Sequence, residues 1–168
     1  HDTDKAVIAI QVQNEPGTLW SDRDYGPQAE AIFNSPVPDA LVEAMLATPQ
    51  STIHAAWQAA GAKASGNWPE LFGVYAGEFL NAWTIAHYID YIAAEGKAAY
   101  NLPMYVNVWL GEQFFRLAGD YPSGGAVGRA LDIYKWVAPH LDLIAPDIYI
   151  QDSAGYRTIC DIYAREDN

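Results

Sequence analysis

Apolar residues occur in two kinds of run along the chain, and their alternation predicts the architecture. The first kind is short and rich in β-branched residues: Ala6 to Gln13, Met104 to Leu110 and Leu141 to Ile150. The first does not alternate cleanly between apolar and polar positions, as expected of a buried strand in a parallel sheet. The second kind has helical spacing. Leu41, Val42, Met45 and Leu46 form one stripe of a helix opened by Pro38-Asp39 and broken at Thr48-Pro49. Ser51 can cap the next helix, which carries Ile53, Ala56, Trp57 and Ala60 on one face and ends at Gly61. The longest helix is expected from about Gly77 to Tyr100, with Phe79, Leu80, Trp83, Ala86, His87, Ile89, Asp90 and Ala93 at the helical repeat. Two more are expected over Val127 to Ala138 and Tyr156 to Arg165, with short helical turns around Gln28–Phe33 and Trp68–Phe72.

Long loops rich in turn formers follow the first two strands, at Gly17–Pro38 and Gly111–Gly125, and loops of that length are usually functional. The order strand, helices, strand, helix, strand, helix implies parallel strands joined by helical crossovers, an α/β fold. Three such units are too few for a closed eight-stranded barrel, which takes about 250 residues. The expectation is one domain over residues 1–168, the middle of a (β/α)8 TIM barrel, whose first and third strands are open edges unless a second copy or another segment covers them.

Composition adds exclusions. The chain is 51% hydrophobic and 18% charged, suited to a packed core. A net charge of -12 makes nucleic acid and anionic membrane poor partners. No apolar run is long enough to cross a bilayer, and any leader is expected upstream of His1-Asp2-Thr3-Asp4-Lys5. The lone Cys160 excludes an internal disulfide and a cysteine-based metal site, and its apolar surroundings suit a core residue. His54, His87 and His140 have no ligand spacing, so no metal is expected, and no Gly-rich phosphate loop follows a strand. Aromatic residues make up 13% of the chain, which fits both a large core and stacking against sugar rings.

The chemistry concentrates where the first strand ends, in Gln11-Val12-Gln13-Asn14-Glu15-Pro16-Gly17. The carboxyl end of a parallel strand is where side chains reach substrate, so Glu15 is the candidate acid/base; the alternative is a solvated glutamate in a strand-terminating turn. Asn107 and Asp147 are polar residues in apolar strands and need partners or a site. Trp109 and Tyr149 lie near the same strand ends; Trp109 is either a stacking platform or a cap on the core. In the loop after Glu15, Trp20, Asp22, Arg23, Asp24 and Tyr25 are placed to line an entrance, although Arg23 between two aspartates reads equally as a loop-fixing ion pair. Trp57, Trp68, Trp83 and Trp136 read as packing residues.

The stretch Ile10-Gln-Val-Gln-Asn-Glu-Pro-Gly17, then Arg23-Asp24-Tyr25-Gly26-Pro27, Gly96-Lys97-Ala98-Ala99-Tyr100-Asn101-Leu102-Pro103-Met104-Tyr105-Val106-Asn107, Asp120-Tyr121-Pro122-Ser123-Gly124-Gly125 and Ala145-Pro146-Asp147-Ile148-Tyr149 resembles the family 35 glycoside hydrolases, in particular their bacterial β-galactosidase-like branch. The resemblance implies that the three strands are strands four to six of the barrel. It also implies that Glu15 is the acid/base of a retaining hydrolase of terminal β-galactosides or related β-linked sugars. Asn14 then contacts the sugar 2-hydroxyl, and Tyr149 the nucleophile and sugar. The nucleophile, a glutamate ending strand seven, is expected shortly after Asn168. Gln13 stands where the family pattern has glutamate. The substrate-binding candidates are Asn14, Asn107, Trp109, Tyr149 and Trp20, with no cofactor. The resemblance favours a periplasmic or secreted location. Two other readings stay open: an endo-β-glycanase of the same clan, and an inactive barrel fragment that self-associates.

Overall fold

A computed structural model describes residues 2–111 and 117–168. It is a mixed α/β structure with a three-stranded parallel sheet in the order β1-β2-β3, formed by Ile10–Gln13, Met104–Trp109 and Leu143–Asp147. Between β1 and β2 lie α1 (Pro27–Phe33), α2 (Asp39–Ala47), α3 (Thr52–Ala59), α4 (Trp68–Phe72), a 3-10 turn (Gly73–Tyr75) and α5 (Ala76–Ala99). Helix α6 (Leu131–Val137) connects β2 to β3, and α7 (Ser153–Tyr163) follows β3. Part of the expected Gly111–Gly125 loop, residues 112–116, lies outside the described residues.

Local chemistry sets most element ends. Ser51 Oγ accepts from the His54 N–H at the start of α3, and Asn67 and Glu70 form a reciprocal capping box on α4. Asp152 Oδ1 accepts from the Gly155 N–H, so α7 starts at Ser153, three residues before the expected Tyr156. Asp152 thus serves as a cap where the loop was expected to continue.

The sheet has two different faces. Met104, Val106, Val108 and Ile144 are buried among the helices, in one core with Phe79, Ile89, Leu131, Ile133 and Tyr134. The opposite face carries Tyr105, Asn107 and Trp109 on β2, with registered partners Gln11 on β1 and Ala145 and Asp147 on β3. These residues are half-buried or exposed. The expectation that the first strand is buried is corrected accordingly. β1 is largely exposed and only four residues long, because its pairing with β2 begins at Ile10 opposite Met104. β3 covers five residues rather than the expected ten.

Polar side chains partly satisfy both sheet edges. Asp2 accepts from the Ala6 N–H at 2.7 Å and the Val7 N–H at 3.3 Å ahead of β1. On the outer edge of β3, Asn168 Oδ1 accepts from the Ile144 N–H at 2.7 Å while its Nδ2 donates to Ile144 O at 3.0 Å. The same Nδ2 donates to Tyr163 O at 2.9 Å, fastening the end of α7 to the sheet. One carboxamide thus supplies both hydrogen bonds that an adjacent strand would make at this position.

Helix α5 positions the loops at the carboxyl ends of the strands. Its face toward them carries two buried polar residues, Glu78 and Asn81. Glu78, 2% exposed, accepts from Tyr121 Oη at 2.5 Å and from Arg129 at 2.8 Å. Asn81 Nδ2 donates to Thr18 Oγ1 and to Ser123 O, at the point where Thr18 and Ser123 pair their backbones. Gly124, with φ +83°, lies so close to α5 that an added Cβ would fall 2.5 Å from Asn81 Cβ. The loop after β1 is therefore tied to residues 117–125, and both are tied to one rigid helix.

Asn168→Ala removes all three side-chain hydrogen bonds and is expected to destabilise the protein by about 1–2 kcal/mol in urea unfolding. Early hydrogen exchange should appear at Ile144 while β1 is unaffected.

Candidate active site

The last residues of the three strands converge on the Asn107 carboxamide. Asn107 Oδ1 accepts from the Glu15 backbone N–H at 2.9 Å and from Gln11 Nε2 at 2.9 Å. Its Nδ2 donates to Asp147 Oδ2 at 2.8 Å and to Asn14 Oδ1 at 3.2 Å. Gln11 Nε2 also donates to Asn14 Oδ1 at 3.1 Å, and Tyr105 Oη donates to Gln11 Oε1 at 3.2 Å. A carboxamide in the middle strand can do this because it has two acceptor and two donor directions, and here all four point at the flanking strands.

Glu15 itself has a left-handed backbone, φ +42°. A non-glycine residue in that region is uncommon, and the strain is held by surrounding contacts. The hydrogen bond from the Glu15 N–H to Asn107 supplies one, and the buried Pro16 follows directly. The turn presents the Glu15 side chain beside Asp147. Its carboxyl pKa is raised above the ordinary glutamate range, first by desolvation, then by a side-chain hydrogen bond to Asp147 and that residue's negative charge; a hydrogen bond from Asn14 acts the other way. A half-buried glutamate with a raised pKa suits the role of a general acid.

The structure brings Glu15, Asn14, Asn107 and Asp147 into one hydrogen-bonded cluster. Trp109 is registered opposite Asp147 on the same open face and is 36% exposed. Tyr149, two residues past β3, is 77% exposed at the same end. Trp20 is not in the cluster: it is 90% exposed, has φ +67°, and is held by its backbone N–H to Gly119 O.

Arg23 follows the loop-fixing reading, with a partner on α1. It is 5% exposed, its guanidinium lies 3.8 Å from the ring centroids of both Tyr25 and Phe33, and its ion pair is with Glu30 at 2.6 Å, not with Asp22 or Asp24. It fixes the loop onto α1. Among the indoles read as packing residues, Trp68 is fully buried and Trp57, Trp83 and Trp136 lie partly buried against the core. Cys160 is half-buried and free.

Sequence reasoning did not single out Gln11 and Tyr105, and left Asp147 as a polar strand residue needing a partner. The signal for Tyr105 was available in its two-residue spacing with Asn107 and Trp109 on β2. Among the described residues, no group of three or more His, Cys, Asp or Glu side chains is arranged to hold a metal ion. Searches against protein-family models and against curated proteins find no match to this chain.

Two outcomes are expected from this geometry. Asn107→Ala leaves the Glu15 N–H and Asp147 without their partner and should cost about 1–3 kcal/mol in urea unfolding. Because the folded state holds the Glu15 proton more tightly than the unfolded chain, its contribution to stability is greatest at low pH. It is lost as pH rises from the ordinary glutamate range through the raised value. Glu15→Gln should abolish that part of the pH dependence, so the variant gains on wild type as pH rises, measured by parallel urea titrations between acid and neutral pH.

Proposed function

We propose that this chain carries the acid/base half of a retaining β-glycosidase site, of the kind found in β-galactosidase-like family 35 enzymes. The observation that carries the reading is Glu15: a carboxyl at the carboxyl end of a parallel strand, its backbone held by Asn107 and its pKa raised by burial and by Asp147. On this reading the three parallel strands with helical connections are strands four to six of an eight-stranded barrel, in which active sites sit at this end.

In the first chemical step the Glu15 carboxyl gives its proton to the glycosidic oxygen as the bond to the anomeric carbon breaks. A second carboxylate, which the family pattern assigns to a seventh strand beyond Asn168, attacks that carbon. In the second step the Glu15 carboxylate takes a proton from water, whose oxygen displaces the enzyme from the sugar. Asn14, at the strand end, is placed for the sugar 2-hydroxyl. Trp109, Tyr149 and Trp20 offer exposed aromatic surface for sugar faces.

Asp147 does not serve as the nucleophile on this reading. The resemblance assigns that role to a glutamate ending a seventh strand, and the two carboxyl groups of a retaining site stand about 5 Å apart with the glycosidic bond between them.

The test is a panel of β-glycosides and polymeric β-glycans assayed on the protein that includes the nucleophile strand. Glu15→Gln should lower turnover of unactivated β-galactosides by about 10²–10⁴-fold. Aryl glycosides with good leaving groups should lose much less in the first step, because they depart without a proton. Undiminished hydrolysis of unactivated substrate by Glu15→Gln overturns the reading, and preference for internal bonds of a polymer redirects it to a β-glycanase.

A further inference from the structure

We propose that Gln11 and Tyr105 are positioning residues that hold the Asn14 carboxamide with its Nδ2, not its Oδ1, toward the substrate. The inference rests on the reading of Asn14 as a sugar contact and adds which end of it the sugar meets.

The two ends of a carboxamide have nearly the same shape, so its partners decide which way it faces. In this cluster the direction starts from a group that can only donate, the Glu15 backbone N–H. It donates to Asn107 Oδ1 at 2.9 Å, which commits the oxygen end of Asn107 to the β1 side. The neighbour that shares this oxygen must also donate, and it is Gln11 Nε2 at 2.9 Å. Asn14 then meets two committed donors, Gln11 Nε2 at 3.1 Å and Asn107 Nδ2 at 3.2 Å. Only an oxygen can answer both. Oδ1 of Asn14 therefore points into the cluster and Nδ2 out of it.

Reversing any of the three amides breaks this order. A reversed Asn107 sets its nitrogen against the Glu15 N–H, and a reversed Gln11 sets Oε1 against two oxygens. A reversed Asn14 sets its nitrogen against two donors. Each reversal forfeits at least two hydrogen bonds and leaves like polarity face to face.

Gln11 can reach Asn14 because the strand is irregular between them. Side chains three residues apart face opposite ways on a regular strand, but the register with β2 shifts between Gln11 and Gln13. Tyr105, the register partner of Gln11, donates from Oη to Gln11 Oε1 at 3.2 Å. That bond holds an exposed, rotamer-rich side chain at the cluster, with its nitrogen on Asn14 and Asn107.

A donor-outward Asn14 asks the sugar for an acceptor. The oxygen of a 2-hydroxyl accepts; a hydrogen or an ammonium at the same carbon does not. The site is therefore built to prefer β-glycosides with a free 2-hydroxyl over their 2-deoxy and 2-amino-2-deoxy analogues.

Neutron diffraction from crystals of the perdeuterated chain places the amide deuterons directly. Two deuterons are expected on the outward atom of Asn14 and none on the atom facing Gln11 and Asn107; the reverse overturns the proposal. In the protein that includes the nucleophile strand, the positioning is read from the kcat/KM ratio for matched 2-hydroxy and 2-deoxy aryl β-galactosides. Gln11→Met should lower that ratio about five- to tenfold, the factor one hydrogen bond supplies. Tyr105→Phe keeps the ring and should lower it about two- to threefold, which guards against a misfolded Gln11→Met. Equal losses on both substrates mark a merely structural role and overturn the proposal. Deuterons on the outward atom, with no β-glycoside cleaved by wild type, sink the glycosidase reading while the Asn14 orientation stands.

Discussion

The candidate site depends on one neutral side chain. Asn107 sits in the middle strand, and its carboxamide makes hydrogen bonds to both neighbours: the Glu15 N–H and Gln11 on the β1 side, Asp147 on the β3 side, with Asn14 closing the cluster. A charged residue in this position would bind one partner well and repel another. A hydroxyl has too few directions to reach both strands. An amide has two donors and two acceptor lone pairs in one plane, which matches the parallel strands on either side. The Glu15 turn and Asp147 are both tied to that carboxamide.

This arrangement explains why so polar a cluster survives on a sheet whose other face is fully apolar. Each polar group in the cluster that the structure describes has a partner, so the cost of partial desolvation is offset locally. Glu15 is the group under most electrostatic load, its pKa raised by desolvation and by Asp147. Below the sheet, Met104, Val106, Val108 and Ile144 lock the strands to the helices, so the cluster cannot relax by moving β2. Above it, α5 fixes the surrounding loops through Glu78 and Asn81. The site is thus held from beneath by packing and from the side by buried hydrogen bonds.

The edges of the sheet show the same economy. Asn168 hydrogen-bonds Ile144 as a strand would, and Asp2 holds the backbone ahead of β1. These are local substitutes for strand pairing, made from side chains within the 168 residues. They satisfy backbone groups without covering apolar surface: Val7, Ile8 and Ile10 stay exposed beside β1, and Leu143 beside β2.

The sequence by itself determined the element order, because apolar periodicity and caps are local. The runs at Ile10, Met104 and Leu143 became parallel strands, and the pattern from Gly77 to Tyr100 became α5 with its ends one residue earlier. It also marked Asn14, Glu15 and Asn107, since polar residues at the end of, or inside, apolar strands demand partners. What the sequence left open was which partners. Strand register decided that Asn107 lies between β1 and β3, that Asp147 comes opposite Trp109, and that Gln11 and Tyr105 belong to the cluster. Register is a property of the assembled sheet and has no local signature; a shift of one residue would turn Asn107 into the core and Val106 toward Glu15. Likewise Arg23 found Glu30 on α1 instead of its sequence neighbours, because the ion-pair partner was set by where the loop folded back. The chain's residues specified what had to be satisfied, and only tertiary packing chose what satisfied it.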